Sequence, residues 1–76
     1  MSTAKKSIAK LFTLVRKEDV SGTSGTGVVA EGVEFSDGSC VLHWISQFKS
    51  IEITDSMHTL IAIHGHEGKT VVEYKD

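Results

Sequence analysis

A run of seven residues between positions 21 and 27 contains only glycine, serine and threonine. The run reads Ser21, Gly22, Thr23, Ser24, Gly25, Thr26 and Gly27. Successive backbone N–H groups in a glycine-rich turn can form a concave nest for phosphate, and nearby hydroxyl groups can donate further hydrogen bonds. The composition therefore suits an anion-binding loop. It also suits a flexible connector between two strands, and the sequence leaves both interpretations open.

Two cations precede this run and would bring positive charge to a bound anion: Arg16 and Lys17. The run is not a Walker loop, because no Gly-Lys-Ser or Gly-Lys-Thr follows it. It is not a dinucleotide-binding turn either, since both motifs lead into a helix whereas the next predicted element is a strand. An anion bound at this run would therefore be held by hydrogen-bond donors of a loop between two strands.

A second segment with possible chemistry is His64-Gly65-His66-Glu67-Gly68-Lys69. Two histidines two positions apart in a turn seldom converge on one ion, so we expect no metal site. His64 could instead cap a helix by bonding its last carbonyl groups, with Gly65 as a left-handed stop. In a third interpretation, His66 and Lys69 face the same ligand as the glycine-rich run.

Trp44 lies in a predicted strand whose alternating side chains form two largely apolar faces. One face carries Cys40, Leu42 and Trp44, and the other carries Val41, His43 and Ile45. We expect the helix to cover one face and a partner subunit or a ligand to cover the other. Trp44 either fills the core or stacks on a base, and Phe48 is an alternative stacking residue.

The sequence shows no arrangement typical of an enzyme. We find no catalytic triad, no paired carboxylates and no H-E-x-x-H, and Cys40 has no histidine at motif distance. We therefore expect a protein that is not an enzyme and that needs no cofactor.

Five segments have the apolar and β-branched character of strands. They are residues 11–16, 28–35, 40–45, 50–54 and 69–74. Asp37-Gly38 predicts a hairpin between the second and third segments, because both residue types tolerate the positive φ of a type I′ turn. The alternation in the fourth segment predicts that Ile51 and Ile53 point inward.

A helix is predicted after the fourth strand, where Thr54 or Asp55 can accept hydrogen bonds from the free N–H groups of a first turn. Its inward face recurs at helical spacing through Met57, Leu60, Ile61 and His64. The order β-β-β-β-α-β predicts an α+β fold, a small antiparallel or mixed sheet of about five strands with one helix packed on a face.

The chain has 76 residues, a formal net charge of −2 and a single cysteine. We expect a polar N-terminal tail over residues 1–7 and one domain over residues 8–76. A domain of this size buries only about 60% of its unfolded surface, so we expect it to form a homo-oligomer. We find no signal peptide or membrane span and no basic face for duplex DNA, which predicts a cytoplasmic protein.

The glycine-rich run and the two later motifs together resemble a group of small, uncharacterised proteins of bacteria and their phages. The likeness covers residues 12–74 and is carried by SGTSGTGVVAEGVEFSDG, then HW, then IHGHEGKTVVEY. The resemblance implies a short stand-alone protein of phage or mobile-element origin. In size and habit such a protein is similar to phage proteins that neutralise host immunity by sequestering a nucleotide signal or by blocking a host protein.

Two functions of different classes follow from the sequence. The first is a binding protein whose oligomer holds a small phosphorylated ligand, such as a nucleotide or cyclic nucleotide, at the glycine-rich run with Arg16, Trp44, His66 and Lys69. The second is an interaction module that inhibits or adapts a host protein. A single-stranded nucleic-acid binder would need a basic groove that the near-neutral charge does not favour.

Overall fold

The computed structural model describes residues 8–18, 26–45 and 49–75. These residues form five strands and one helix: β1 Lys10–Arg16, β2 Gly27–Glu34, β3 Cys40–Trp44, β4 Ile51–Thr54, α1 Met57–His64 and β5 Thr70–Lys75. All neighbouring strands are antiparallel, in the order β4-β3-β2-β1-β5. The predicted α+β fold with one sheet and one helix is confirmed. The tail predicted for residues 1–7 lies outside the described residues.

The connectivity collects the described candidate residues at one end of the sheet, which we call the loop end. Strands β1 and β3 finish there, β2, β4 and β5 begin there, and α1 runs toward it from the end of β4. The register places Arg16 beside Gly27 on one side and beside Thr70 on the other. The described residues on either side of the glycine-rich run, Glu18 and Thr26, and the segment from His64 to Lys69 therefore belong to the same end of the sheet.

The helix covers one face of the sheet and forms a small core with it. Six hydrophobic residues are buried there: Phe12, Leu14, Ala30, Cys40, Leu42 and Leu60. Five of them come from the sheet and Leu60 comes from α1, with Val29, Trp44, Met57 and Val72 packed around them. The helical spacing thus correctly predicted that Leu60 points inward, but it was wrong for Ile61, which is 49% exposed.

The opposite face of the sheet, which we call the open face, carries the residues that alternate with the core. The prediction that Ile51 and Ile53 point inward is wrong, because their side chains lie on this face and are 67% and 74% exposed. The register pairs Ile51 with His43 and Ile53 with Val41, so Glu52 and Thr54 face the helix instead. Strand alternation identifies two faces of β4, but it does not show which of them the helix covers.

The predicted hairpin between β2 and β3 is present, although its turn is not the type I′ turn that was predicted. The N–H of Gly38 donates to the Phe35 carbonyl at 2.9 Å, and the N–H of Phe35 donates to the Ser39 carbonyl at 2.8 Å. Gly38 has a φ of 96°, but Asp37 is not among the residues with positive φ. Three-residue hairpin loops combine these features, with glycine at the single left-handed position.

The N-cap of the helix lies one residue after Asp55 and two residues after Thr54, the two caps that the sequence predicted. Ser56 is the N-cap, since its Oγ accepts a hydrogen bond from the Thr59 N–H at 3.0 Å. The Thr54 hydroxyl donates to the Ser56 carbonyl at 3.1 Å and so supports the cap instead of forming it. Serine, threonine and aspartate at positions 54 to 56 are all competent N-caps, and their residue types do not distinguish them.

Candidate functional site

The loop end joins the strand that enters the glycine-rich run to the turn before β5. The N–H groups of Lys17 and Glu18 both donate to the carbonyl of Lys69, at 2.6 and 3.2 Å. The predicted ligand residues Ser21, Gly22, Thr23, Ser24 and Gly25 lie outside the described residues. At the other end of the run, Thr26 is exposed and leads into β2.

Arg16 and Lys17 lie on different faces of the sheet. Lys17 forms an ion pair with Glu73, with 3.7 Å between Nζ and Oε2, and both side chains are about half exposed. Arg16 alternates with the buried Leu14 and therefore lies on the helix side, beside Thr70. Among residues 8–18, 26–45 and 49–75, no ion pair involves Arg16. Lys69 has no ion pair among the same residues either, so both Arg16 and Lys69 are cations at this end that could bind an anion.

The turn between α1 and β5 has an unusual backbone. His66, Glu67 and Gly68 have consecutive positive φ values of 47°, 57° and 90°. A non-glycine residue in the left-handed region costs about 1 kcal/mol or more, because its Cβ approaches the following carbonyl oxygen. Such conformations persist where the surrounding structure holds them, and they cluster at ligand-binding sites. This turn exposes His66 and Glu67 at the loop end.

The prediction that Gly65 stops the helix in a left-handed conformation is wrong. Its φ is −72°, in the right-handed region. A Cβ at this position would lie 2.6 Å from the Ile61 carbonyl oxygen, which the Gly65 N–H contacts at 2.7 Å. Glycine is needed here because the chain passes close to the end of the helix, and the positive φ values occur at the next residues.

The loop end therefore brings together some of the predicted ligand residues. Arg16 and Lys69 are linked through the Lys17 N–H, and His66 belongs to the same turn as Lys69. Thr26 precedes Gly27, the register partner of Arg16. Phe48, the alternative stacking residue, lies outside the described residues.

Trp44 is also near this end of the sheet, but its side chain packs within the protein. The indole and the His64 imidazole make an edge contact, with 5.0 Å between ring centroids and an interplanar angle of 72°. Trp44 Nε1 donates to Glu52 Oε1 at 3.4 Å, and His64 Nε2 lies 2.9 Å from Glu52 Oε2. We call these three residues the Trp44–Glu52–His64 cluster. The cluster joins β3, β4 and α1. The imidazole of His64 thus contacts a carboxylate of β4, and not the last carbonyl groups of the helix as predicted.

Residue types alone gave no role to Glu52. It is a carboxylate between two isoleucines, and the prediction that those isoleucines point inward implies that Glu52 faces solvent. The register places the side chains of β4 on the faces opposite to those predicted, so Glu52 lies under the end of α1. One sequence signal could have identified the cluster. It is a carboxylate that alternates with apolar residues in a strand, where the preceding strand carries a tryptophan and the following helix carries a histidine.

Replacing Glu52 with alanine is expected to lower the free energy of unfolding by about 2 kcal/mol, because two partly buried donors lose their acceptor. Urea denaturation followed by the fluorescence of Trp44, the single tryptophan, measures this loss. Glu52→Gln should lose less, since its amide oxygen can still accept from the indole. Glu18→Ala, an exposed change, should stay within about 0.5 kcal/mol of the wild type. Equal losses for Glu52→Ala and Glu18→Ala would contradict a structural role of the cluster.

Cys40 is placed as a structural residue. It is fully buried in the core, and burial raises the pKa of its thiol, which keeps it in the poorly nucleophilic protonated form. Within the described part of the chain, no group of three or more His, Cys, Asp or Glu side chains is arranged to hold a metal ion. In that same part, no helix is long and apolar enough to cross a membrane.

Fold and site together define a small α+β protein with Arg16, His66 and Lys69 at one end of the sheet and exposed apolar residues on one sheet face. Comparison with known proteins then gives its family. The chain matches the Acb5 phage protein family over residues 9–76 and belongs to it. No match was found among curated proteins or among solved structures. The family membership confirms the resemblance to small phage proteins.

Proposed function

We propose that this protein is a non-enzymatic, sponge-like phage counter-defence protein that holds a small phosphorylated ligand, such as a nucleotide or cyclic nucleotide, in an oligomer. The observation that carries the proposal is the convergence at the loop end. The entry to the glycine-rich run and the turn before β5 share the Lys69 carbonyl, and Arg16 lies beside them without an ion-pair partner among the described residues. Membership of a phage protein family supports the counter-defence role.

In the proposed site the glycine-rich run supplies N–H and hydroxyl donors to phosphate oxygens. Arg16 adds a planar, permanently charged group that can bind phosphate with two parallel hydrogen bonds. His66 and Lys69 complete the site from the neighbouring turn, whose left-handed residues expose the His66 side chain at this end.

The Trp44 indole would contact a base through the part that remains solvent-accessible, since Trp44 is half-buried. Its other contacts, to His64 and Glu52, fix the ring before a ligand arrives. A preorganised aromatic ring loses little conformational entropy on binding, which favours stacking.

Titration calorimetry against mono-, di- and cyclic nucleotides tests the proposal. Measurable heat is expected with at least one of them, with a dissociation constant of about 10 µM or lower, since a sponge must compete with a host receptor. Inorganic phosphate and the matching nucleosides separate the contribution of the phosphate from that of the base. Absence of heat with every nucleotide at high micromolar concentration would overturn the proposal.

A second function, binding a host protein, is favoured by the edge of the sheet at β5. Among the strands that the structure describes, β5 pairs with β1 alone, and a groove of about 390 Å³ lies between β5 and α1, lined by Ile61, Val72 and Tyr74 among others. An extended peptide can add to such an edge through backbone hydrogen bonds. A pull-down from host lysate distinguishes the two functions, because a sponge recovers small molecules without a stoichiometric protein.

A further inference from the structure

We propose that the open face of the sheet packs against the open face of a second copy of the chain, around a two-fold axis that runs between β2 and β3. The proposal specifies the assembly that the proposed function requires. Its test measures mass in the absence of ligand, so its failure is distinguishable from a failure of the calorimetry.

The open face is apolar in a way that a sheet exposed to water is not. Ten large hydrophobic residues are exposed among the described residues, against six hydrophobic residues buried in the core. Four of the exposed ones lie on the open face: Leu11, Val28, Ile51 and Ile53. Half-exposed valines lie between them, including Val33 and Val41 at the floor of a groove of about 500 Å³. Apolar patches of this kind on small proteins mark interaction sites.

The register arranges the open face in rows that cross the strands. One row runs through Ile53, Val41, Val33, Leu11 and Lys75. The next row runs through Ile51, His43, Glu31, Thr13 and Glu73. The polar ends of both rows belong to β5, at one edge of the sheet. Strands β4 to β1 therefore carry the apolar first row, and the middle of that row lies between β2 and β3.

An axis along the strands at this middle line is self-complementary. It exchanges β2 with β3 and β1 with β4, so the apolar residues of the first row face one another, as Ile53 faces Leu11 of the second copy. It also places His43 of each copy opposite Glu31 of the other. Within one chain these two side chains are already 3.7 Å apart, so the dimer would contain two alternating pairs at its centre. An axis through β2 would instead bring the two Glu31 carboxylates together.

The face that meets its counterpart in this dimer is formed by β1 to β4. Four strands about 4.8 Å apart and about 20 Å long form a flat face of about 19 by 20 Å, and projecting side chains raise its accessible area above that of the flat face. A standard interface takes about 800 Å² from each partner, and face-to-face sheets pack about 10 Å apart with their strands within about 30° of one another. Contacts beside the axis, such as His43 with Glu31, change least with the crossing angle.

Sedimentation velocity over a range of micromolar concentrations tests which face is used. We expect the wild type to sediment as a dimer of the 8.2 kDa chain. Ile53→Lys, at a highly exposed position of the open face, should raise the dissociation constant at least about tenfold, because it buries an unpaired charge. Ile63→Lys is the matched control, since Ile63 is 53% exposed on α1. A monomeric wild type, or equal dissociation of both variants, would overturn the proposal and leave the face for a different protein.

A pair of charge variants tests the axis. Glu31→Lys alone places a cation opposite His43 of the second copy, and His43→Glu alone places two carboxylates opposite each other, so each should self-associate at least about tenfold more weakly than the wild type. Mixed together, they offer one lysine–glutamate pair and one native pair, and native mass spectrometry should show a one-to-one heterodimer. Each chain carries the same substitution alone and in the mixture. Any effect of the substitution within its own chain is therefore the same in both samples, and only the contacts between chains differ. Variants that weaken self-association alone and fail to form the heterodimer would contradict the axis.

Discussion

Gly32→Ala is expected to lower the free energy of unfolding by about 3 kcal/mol, because the added carbon overpacks the centre of the sheet. Gly32 lies in the middle of the sheet, paired with Phe12 on β1 and with Leu42 on β3. A Cβ there would lie 2.6 Å from Phe12 Cζ and 2.6 Å from the Val41 carbonyl oxygen. The phenyl ring could rotate, but the carbonyl belongs to the central sheet, and moving it disturbs the β2–β3 ladder.

Val33→Ile is the matched control, because it also adds one carbon to β2 but on the open face. We expect it to change stability by less than about 0.5 kcal/mol. Urea denaturation monitored by circular dichroism compares the two, and a domain of this size has only about 4 to 11 kcal/mol to lose. Equal stabilities for Gly32→Ala and Val33→Ile would show that the sheet accommodates the Cβ and that glycine is not required.

The sheet and the helix were predictable because their patterns are local. The turn at Gly38 joins two adjacent strands, and the spacing from Met57 to His64 describes one surface of one helix. Each strand began and ended within one residue of its prediction. These features depend on neighbours along the chain, which the sequence lists directly.

The orientation of β4 was not predictable, because it depends on which face of the sheet the helix covers. Ile51 and Ile53 alternate with Glu52, and hydrophobicity alone directs the isoleucines to the core. The register with β3 fixes the opposite choice and pairs Glu52 with His64. The isoleucines then require another apolar surface, so the wrong prediction and the proposed dimer have the same physical cause.

The candidate site was predictable as a set of residue types, and its assembly required the topology. Arg16 and Lys69 are far apart in sequence, and the antiparallel pairing of β1 with β5 brings them to one end. The left-handed turn at His66 and Glu67 carried no signal, since neither residue type favours that conformation as glycine does. The role of the predicted ligand residues from Ser21 to Gly25 stays a prediction.

Arg16→Gln is expected to weaken nucleotide binding by about 10- to 100-fold, the largest effect on function of any single charge, because a hydrogen bond to a charged group contributes about 1.5 to 3 kcal/mol. Glutamine keeps much of the aliphatic stem and a donor, so the change removes the charge and the two-pronged geometry. Arg16 lies at the last pair of both ladders of β1, where substitution should leave the fold intact. Calorimetry with the nucleotide that the wild type binds most tightly measures the effect.

Lys17→Gln removes the same charge from the adjacent residue and is the control. Lys17 is turned toward Glu73 and the open face. Removing its charge should therefore weaken nucleotide binding less than about threefold. This small effect is the contribution of long-range attraction, which salt screens at an exposed surface. The ratio between the two variants separates a directed contact from general attraction. If the site lies on the helix side of the loop end, raising the salt concentration should shrink the small effect of Lys17→Gln and leave most of the Arg16→Gln effect. Equal losses for both variants, abolished together by salt, would mean that the anion is held by net charge and that Arg16 makes no specific contact.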